Sequence, residues 1–97
     1  MEKMRLSLKT RAARLRPPVS LDDLAPGQWG VLRRIELPEA DATRLMEMGF
    51  LPGARIVAAR SAPGGDPRVF RVDGTEFALR RATAQRLLVE VAKEGPG

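Results

Sequence analysis

The sequence contains no cysteine and no histidine among its 97 residues. The absence of cysteine excludes disulfide bonds and thiolate metal sites, and the absence of histidine removes the commonest transition-metal ligand and general base. A redox, zinc, iron or triad-type active site would have to be built from carboxylates, hydroxyls and lysines, which suit soft or borderline metals poorly. We therefore predict no catalytic residue, no metal site and no cofactor, and a protein that acts by binding another protein.

Long apolar runs are missing as well. No stretch of seven consecutive apolar residues occurs, whereas a signal peptide needs about that many and a membrane-spanning helix needs about twenty. We therefore expect a cytoplasmic protein. The chain length fits one domain, which at this size buries only about 60% of its unfolded surface and depends on a small core.

The net charge of +5 is concentrated at the N-terminus, because residues 1–18 carry six basic side chains against one acid. The eleven basic and eleven acidic residues that remain balance each other. A nucleic-acid-binding function would therefore depend on this arm alone. Apolar residues at helical spacing in the arm leave open an amphipathic docking helix, whereas short charged termini are usually mobile. We expect a flexible arm at 1–18, a folded domain at 19–93 and a tail at 94–97.

The pattern after the arm predicts short strands separated by turns. Ser20 and Asp23 form a capping-box pattern that predicts one helical turn, and Asp73-Gly74 favours a type I′ hairpin. Residues 62–67 are rich in proline and glycine and predict a loop without regular structure. Strands are expected at 28–35, 55–61, 68–72, 75–80 and 87–91, with helical segments at 39–48 and 82–86.

Apolar and charged side chains alternate within the predicted hairpin. Phe70 and Val72 share one face of their strand, and Phe77 and Leu79 share one face of the next, whereas Arg71 and its charged neighbours point outward. A flat sheet would leave one apolar face open to water. The predicted fold is therefore mostly β, a small, strongly curved antiparallel barrel of about five strands with one or two short helices.

The middle of the chain combines a helix end with two methionines. Gly49 permits the positive φ that ends a helix, and Pro52-Gly53 turns the chain into the next strand. Because Met46 and Met48 are two residues apart, they cannot share a helix face. We expect Met46 to be the exposed one of the two, pointing away from the face of Leu45 and Met48, either as a partner contact or as a side chain that fills a packing gap.

Charged residues near the loop and hairpin have simpler interpretations than a metal or phosphate site. Asp66 precedes a proline and Asp73 a glycine, both favoured turn positions, so backbone roles explain them better than a carboxylate metal site completed by Glu76. The neighbouring glycine pair lacks the Gly-Lys-Ser/Thr ending of a phosphate-binding loop. Arg80 and Arg81 either pair with acids across an interface or keep a sheet edge charged against unwanted pairing.

Four segments resemble, in the same order, the FeoA family. They are Leu21-x-x-Leu24-x-Pro26-Gly27, the ten residues from Arg44 to Gly53 (RLMEMGFLPG), Ala62-Pro63-x-Gly65-Asp66-Pro67, and Ala78-Leu79-Arg80 with Ala84, Leu87 and Val89. The resemblance covers about residues 20 to 92 and implies an SH3-like barrel. It also implies a small cytoplasmic protein associated with the FeoB membrane GTPase, which imports ferrous iron. The basic arm departs from the family pattern, and the resemblance implies nothing about it.

The resemblance implies a non-catalytic accessory protein of ferrous iron uptake that binds and modulates the cytoplasmic part of a FeoB-like GTPase transporter. The alternative is a regulatory or nucleic-acid-binding SH3-like module that acts through the basic arm. We expect no small-molecule substrate, and homo-oligomerisation stays open. An apolar cleft between the segment from Leu45 to Leu51 and the barrel would receive the partner. The candidate partner-binding residues are Leu45, Met46, Met48, Phe50, Leu51, Arg80 and Arg81, and the candidate structural residues are Gly27, Gly49, Pro52, Gly53, Asp73 and Gly74.

Overall fold

Six short strands pair antiparallel in one sheet across residues 18–92, the part of the chain that this computed structural model describes. The strands are β1 Val19–Ser20, β2 Trp29–Ile35, β3 Arg55–Ser61, β4 Arg68–Val72, β5 Thr75–Leu79 and β6 Leu87–Val91. Their spatial order is β1-β6-β2-β3-β4-β5. The mostly β, antiparallel prediction is confirmed, with one strand more than predicted. The extra strand is β1, which pairs with Leu88 and Val89 of β6.

Two short helices and two 3-10 turns connect the strands. Helix α1 spans Glu39–Glu47, helix α2 spans Arg81–Ala84, and the 3-10 turns are Leu21–Asp23 and Pro63–Gly65. The predicted capping box is confirmed at the first turn, where the Asp22 N–H donates to Ser20 Oγ at 3.0 Å. The prediction of a loop without regular structure is wrong over the Pro63–Gly65 turn, although the φ of 89° at Gly64 keeps that turn from continuing as a helix.

The hairpin between β4 and β5 confirms the type I′ prediction. Asp73 has a φ of 53° and Gly74 a φ of 83°, so both central residues lie in the left-handed region that this turn requires. Val72 then pairs with Thr75 and Phe70 with Phe77. The turn therefore fixes the register that places apolar side chains of both strands on the inner face.

The core fills the concave side of the sheet and comes from every strand except the two-residue β1. It also receives residues from the first 3-10 turn, from both helices and from the segment that follows α1. Its buried apolar members are Leu21, Leu24, Leu32, Leu45, Phe50, Ile56, Ala58, Phe70, Val72, Leu79, Ala84, Leu87 and Val89. Burying a side chain of this size contributes about 1.5–3 kcal/mol, so this set is the main source of stability.

One glycine is required inside the sheet by a close approach of two strands. A Cβ built on Gly30 of β2 would lie 2.9 Å from the Glu90 carbonyl oxygen and 3.3 Å from Val89 Cβ, both on β6. Two residues further along β2 the register shifts against β6 between Leu32 and Arg34. Gly30 therefore permits the tight pairing of β2 with β6.

The predicted basic arm and C-terminal tail fall mostly outside the described residues, which begin at 18 and end at 92. The predicted domain limits therefore stay predictions. Within residues 18–92 no helix is long and apolar enough to cross a membrane.

Candidate functional site

The end of helix α1 is a Schellman motif centred on Gly49. The Gly49 N–H donates to the Met46 carbonyl and the Phe50 N–H donates to the Leu45 carbonyl, both at 3.0 Å. Gly49 has a φ of 112°, which an L side chain would strain by about 1–2 kcal/mol. Phe50 and Leu45 are both buried, so an apolar contact accompanies the hydrogen bonds as this motif requires.

A second tight turn follows at once and points the chain back to the sheet. The Ala54 N–H donates to the Leu51 carbonyl at 2.8 Å, and Gly53 has a φ of 95°, which with Pro52 gives a type II turn. The Gly53 N–H also donates to the Leu32 carbonyl of β2 at 2.6 Å. Leu51 stays 49% exposed because the chain is anchored on both sides of it.

An open groove of about 520 Å³ lies between this segment and the β4–β5 hairpin. We call it the hairpin groove, and it is lined by Gly49, Leu51, Ala54, Arg55, Val57, Arg71, Val72, Asp73 and Gly74. Its apolar lining comes from the helix-end segment and from β3 and β4. Its charged lining comes from two arginines and one aspartate.

The predicted partner-binding residues do not all reach this groove. Leu51 lines it, whereas Leu45 and Phe50 are core residues. The expectation for the methionines is wrong, because Met48 is the more exposed of the two at 36% and Met46 is half-buried. Met48 is the C-cap of α1 and its backbone is still helical, with a φ of −85° and a ψ of −7°, so the error lies in taking its side of the helix as the buried one.

The two predicted arginines lie elsewhere and have different surroundings. Arg81 donates from Nη2 to Asp22 Oδ2 at 3.2 Å, and its backbone N–H donates to Asp66 Oδ1 at 3.0 Å. Arg80 is exposed and precedes α2 as its N-cap. Both side chains are exposed, but Arg81, at 49%, is held by partners within the domain.

A buried arginine that the sequence analysis did not identify joins opposite parts of the sheet. Arg68 on β4 is 7% exposed and donates to the carbonyls of Asp22 at 2.7 Å and Leu24 at 2.8 Å. It also forms an ion pair with the Asp22 carboxylate at 3.6 Å. These contacts tie β4 to the chain between β1 and β2, and so bring the two ends of the sheet together. In the sequence, Arg68 lies two residues before Phe70, so the alternation of strand side chains places both on the buried face.

The Asp22 carboxylate is the centre of this network, with a side chain only 7% exposed. Burial acts to raise its pKa, but hydrogen bonds from Arg81 and Gln85 and the charges of Arg81 and Arg68 hold that pKa below its ordinary value. The same hydrogen bond and charge raise the pKa of Arg81. Asp22 is therefore an ionised structural group.

The acids near the hairpin also have partners within the domain. Glu76 accepts hydrogen bonds from Arg71 at 2.9 Å and from Arg60 at 3.3 Å, and these lower its pKa. Asp66 accepts the Arg81 N–H, and Asp73 occupies the hairpin turn. Within residues 18–92 no three His, Cys, Asp or Glu side chains come together as a metal site.

The groove's own arginines are held differently. Arg71 is paired with Glu76, whereas the Arg55 guanidinium lies 4.3 Å from the centre of the Trp29 ring. A cation–π contact restrains a guanidinium without using its N–H groups as hydrogen-bond donors to an oxygen. The groove thus combines an apolar wall with one positioned positive charge.

Comparison with known proteins places the chain in a family. A family model of the FeoA domain matches residues 19–91. A curated relative from Porphyromonas gingivalis (strain ATCC BAA-308 / W83), named a fusion of Fe(2+) transport protein A and the Fe(2+) transporter FeoB, is 34% identical over 71 residues, or 73% of this chain. The chain spans 8% of the length of that relative.

Solved structures have the same fold. Iron(II) transport protein A from Clostridium thermocellum is 34% identical with a TM-score of 0.72, covering 76% of this chain and 46% of that one. Stenotrophomonas maltophilia FeoA, described as an SH3 domain protein complexed with zinc, is 32% identical with a TM-score of 0.66. The match covers 74% of this chain and 89% of that one. A manganese-dependent transcriptional repressor, 17% identical with a TM-score of 0.71 over 79% of this chain and 38% of its own, shows a likeness of fold alone.

These matches confirm the resemblance and the SH3-like fold predicted from the sequence. The matched region also coincides with the described domain, from β1 to the end of β6. The chain belongs to the FeoA family, and its FeoA domain spans residues 19–91.

Proposed function

We propose that this chain is a non-catalytic accessory protein of ferrous iron uptake that binds the cytoplasmic part of a FeoB-like membrane GTPase and modulates it. The observation that carries this proposal is the curated relative in which a matching segment shares one polypeptide with the FeoB transporter. Fusion holds two partners at high effective concentration. It therefore supports a physical association of the separate chain with its own transporter.

The hairpin groove is the surface that suits such an association best. Leu51 is the most exposed large apolar side chain of the described domain at 49%, and it lines this groove beside Ala54 and Val57. Apolar side chains that surround a concavity offer a partner residue buried area from several directions. We assign the contact with the transporter to this groove.

Binding would act on the transporter by a difference in affinity between its states. A protein that contacts one nucleotide or pore state more tightly than another shifts the equilibrium toward the favoured state. No chemistry by this chain is needed for that. The location that follows is cytoplasmic, at the membrane face where the GTPase part of the transporter lies.

A binding assay with the cognate transporter tests this proposal. The full chain should be retained at micromolar concentration by the detergent-solubilised transporter, and Leu51→Ser should lower retention about tenfold, as expected for losing a buried leucine contact. Val91→Ser is the matched control, because Val91 is also an exposed apolar residue, at 37%, and does not line the groove. Absence of retention for the unmodified chain, together with normal ferrous uptake in a deletion strain, would refute the proposal.

A further inference from the structure

The two arginines of the hairpin groove differ in what already binds them. Arg71 donates to Glu76 at 2.9 Å. Arg55 lies over Trp29 at 4.3 Å, and no carboxylate of residues 18–92 forms an ion pair with it. Within residues 18–92, Arg55 therefore brings a positive charge that no ion pair compensates to the edge of an apolar surface.

The charges around Arg55 do not neutralise it. Arg60 and Arg71 share the single carboxylate of Glu76, and Glu90 of β6, which β2 separates from β3, is paired with Arg33. The groove lining itself contains two arginines against one acid, Asp73. The local balance is positive although residues 18–92 contain ten basic and ten acidic side chains, so the groove repels a basic segment and attracts an acidic one.

We propose that the hairpin groove binds a transporter segment in which an apolar side chain lies next to an aspartate or glutamate. This inference rests on the proposed function. The apolar side chain packs against Leu51, Ala54 and Val57. The neighbouring carboxylate accepts hydrogen bonds from the Arg55 guanidinium, whose position the contact with Trp29 already restrains. A guanidinium held in this way binds a carboxylate through two parallel N–H donors with little loss of side-chain freedom.

Substitutions at Arg55 test the proposal on the full chain. Arg55→Gln should weaken binding to the detergent-solubilised cognate transporter about two- to fivefold, the effect of losing one charge-assisted contact of an exposed side chain. Arg55→Lys should restore part of the affinity because it keeps the charge. Arg86→Gln is the control, because Arg86 is exposed and does not line the groove. Melting temperatures and far-UV circular dichroism of each variant verify that the domain stays folded.

Peptides tiled across the cytoplasmic part of the transporter identify the bound segment. The peptides that bind should share an apolar residue beside an acid, and replacing that acid with alanine should remove the difference between the unmodified chain and Arg55→Gln. Because Trp29 adjoins the site, its emission should change when such a peptide binds.

The outcomes separate this inference from the function on which it rests. If the transporter retains the unmodified chain and Arg55→Gln equally, the acidic recognition is wrong while the proposed function stands. If the transporter retains neither protein, the proposed function is wrong, and the inference about acidic recognition is wrong with it. If sedimentation shows that the chain associates with itself and Arg55→Gln abolishes that association, the occupant is a second copy and the inference is overturned.

Discussion

Arg68 lies buried against the core, and replacing it with methionine removes the guanidinium while keeping an unbranched side chain. The carbonyls of Asp22 and Leu24 then lose their donors, and each orphaned buried carbonyl costs about 1–3 kcal/mol. Asp22 keeps Arg81 and Gln85 as partners, so the loss of its ion pair adds less than the about 3–5 kcal/mol typical of a broken buried pair. We expect a total loss of about 2–6 kcal/mol, set mainly by the two carbonyls, a large part of the about 5–15 kcal/mol that stabilises a domain.

Urea unfolding followed by Trp29 emission measures this loss, since Trp29 is the single tryptophan. The midpoint should fall without a change in the slope m, and the melting temperature should drop by about 10 °C or more. Arg33→Met is the matched control, because Arg33 forms an exposed cross-strand ion pair with Glu90 that is worth at most about 1 kcal/mol. If Arg68→Met lowers the free energy of unfolding no more than Arg33→Met does, the argument that Arg68 holds the ends of the sheet together is wrong.

Three further substitutions test other parts of the fold. Gly49→Ala should lower the free energy of unfolding by about 1–2 kcal/mol in urea titrations, because alanine strains at the positive φ of the helix end. Gly30→Ala should cost about 1–3 kcal/mol in the same assay, because its Cβ would displace β6 at Glu90, and a smaller effect would mean that the strands part easily. Because the pKa of Asp22 is lowered on folding, its contribution to stability is complete above the unfolded pKa of 3.8 and is progressively lost as the pH falls through the lower folded pKa. Asp22→Asn should therefore flatten the dependence of the free energy of unfolding on pH below 3.8. An acid unfolding profile that Asp22→Asn leaves unchanged would contradict this.

Features set by neighbouring residues could be predicted from the sequence. The predicted strand at 55–61 coincides with β3, and the type I′ hairpin follows from Asp73-Gly74 because few residue pairs adopt two positive φ angles. The end of α1 follows in the same way from Gly49. Each of these depends on the conformational preferences of adjacent residues.

Features set by distant parts of the chain could not be predicted. Strand β1 has two residues and exists only because it pairs with β6, so its own pattern carries no period. Arg68 meets the Asp22 carbonyl across 46 positions, and an arginine in a strand predicts exposure unless its partners are known. The exposure of Met48 depends on how the end of α1 packs against the sheet, and helical spacing alone does not predict that packing.

The same local signals that were predictable also make the hairpin groove a preformed surface. One wall of the groove is fixed because Phe50 is fully buried in the core and holds the adjacent Leu51 at the surface. The other wall is fixed because Asp73-Gly74 closes the hairpin. A surface fixed from both sides requires little ordering when a partner binds, so less of the contact energy is lost on association. It follows that Gly49→Ala should weaken the proposed binding to the transporter, since it strains the motif that positions Leu51 and adds a methyl group to a residue that lines the groove.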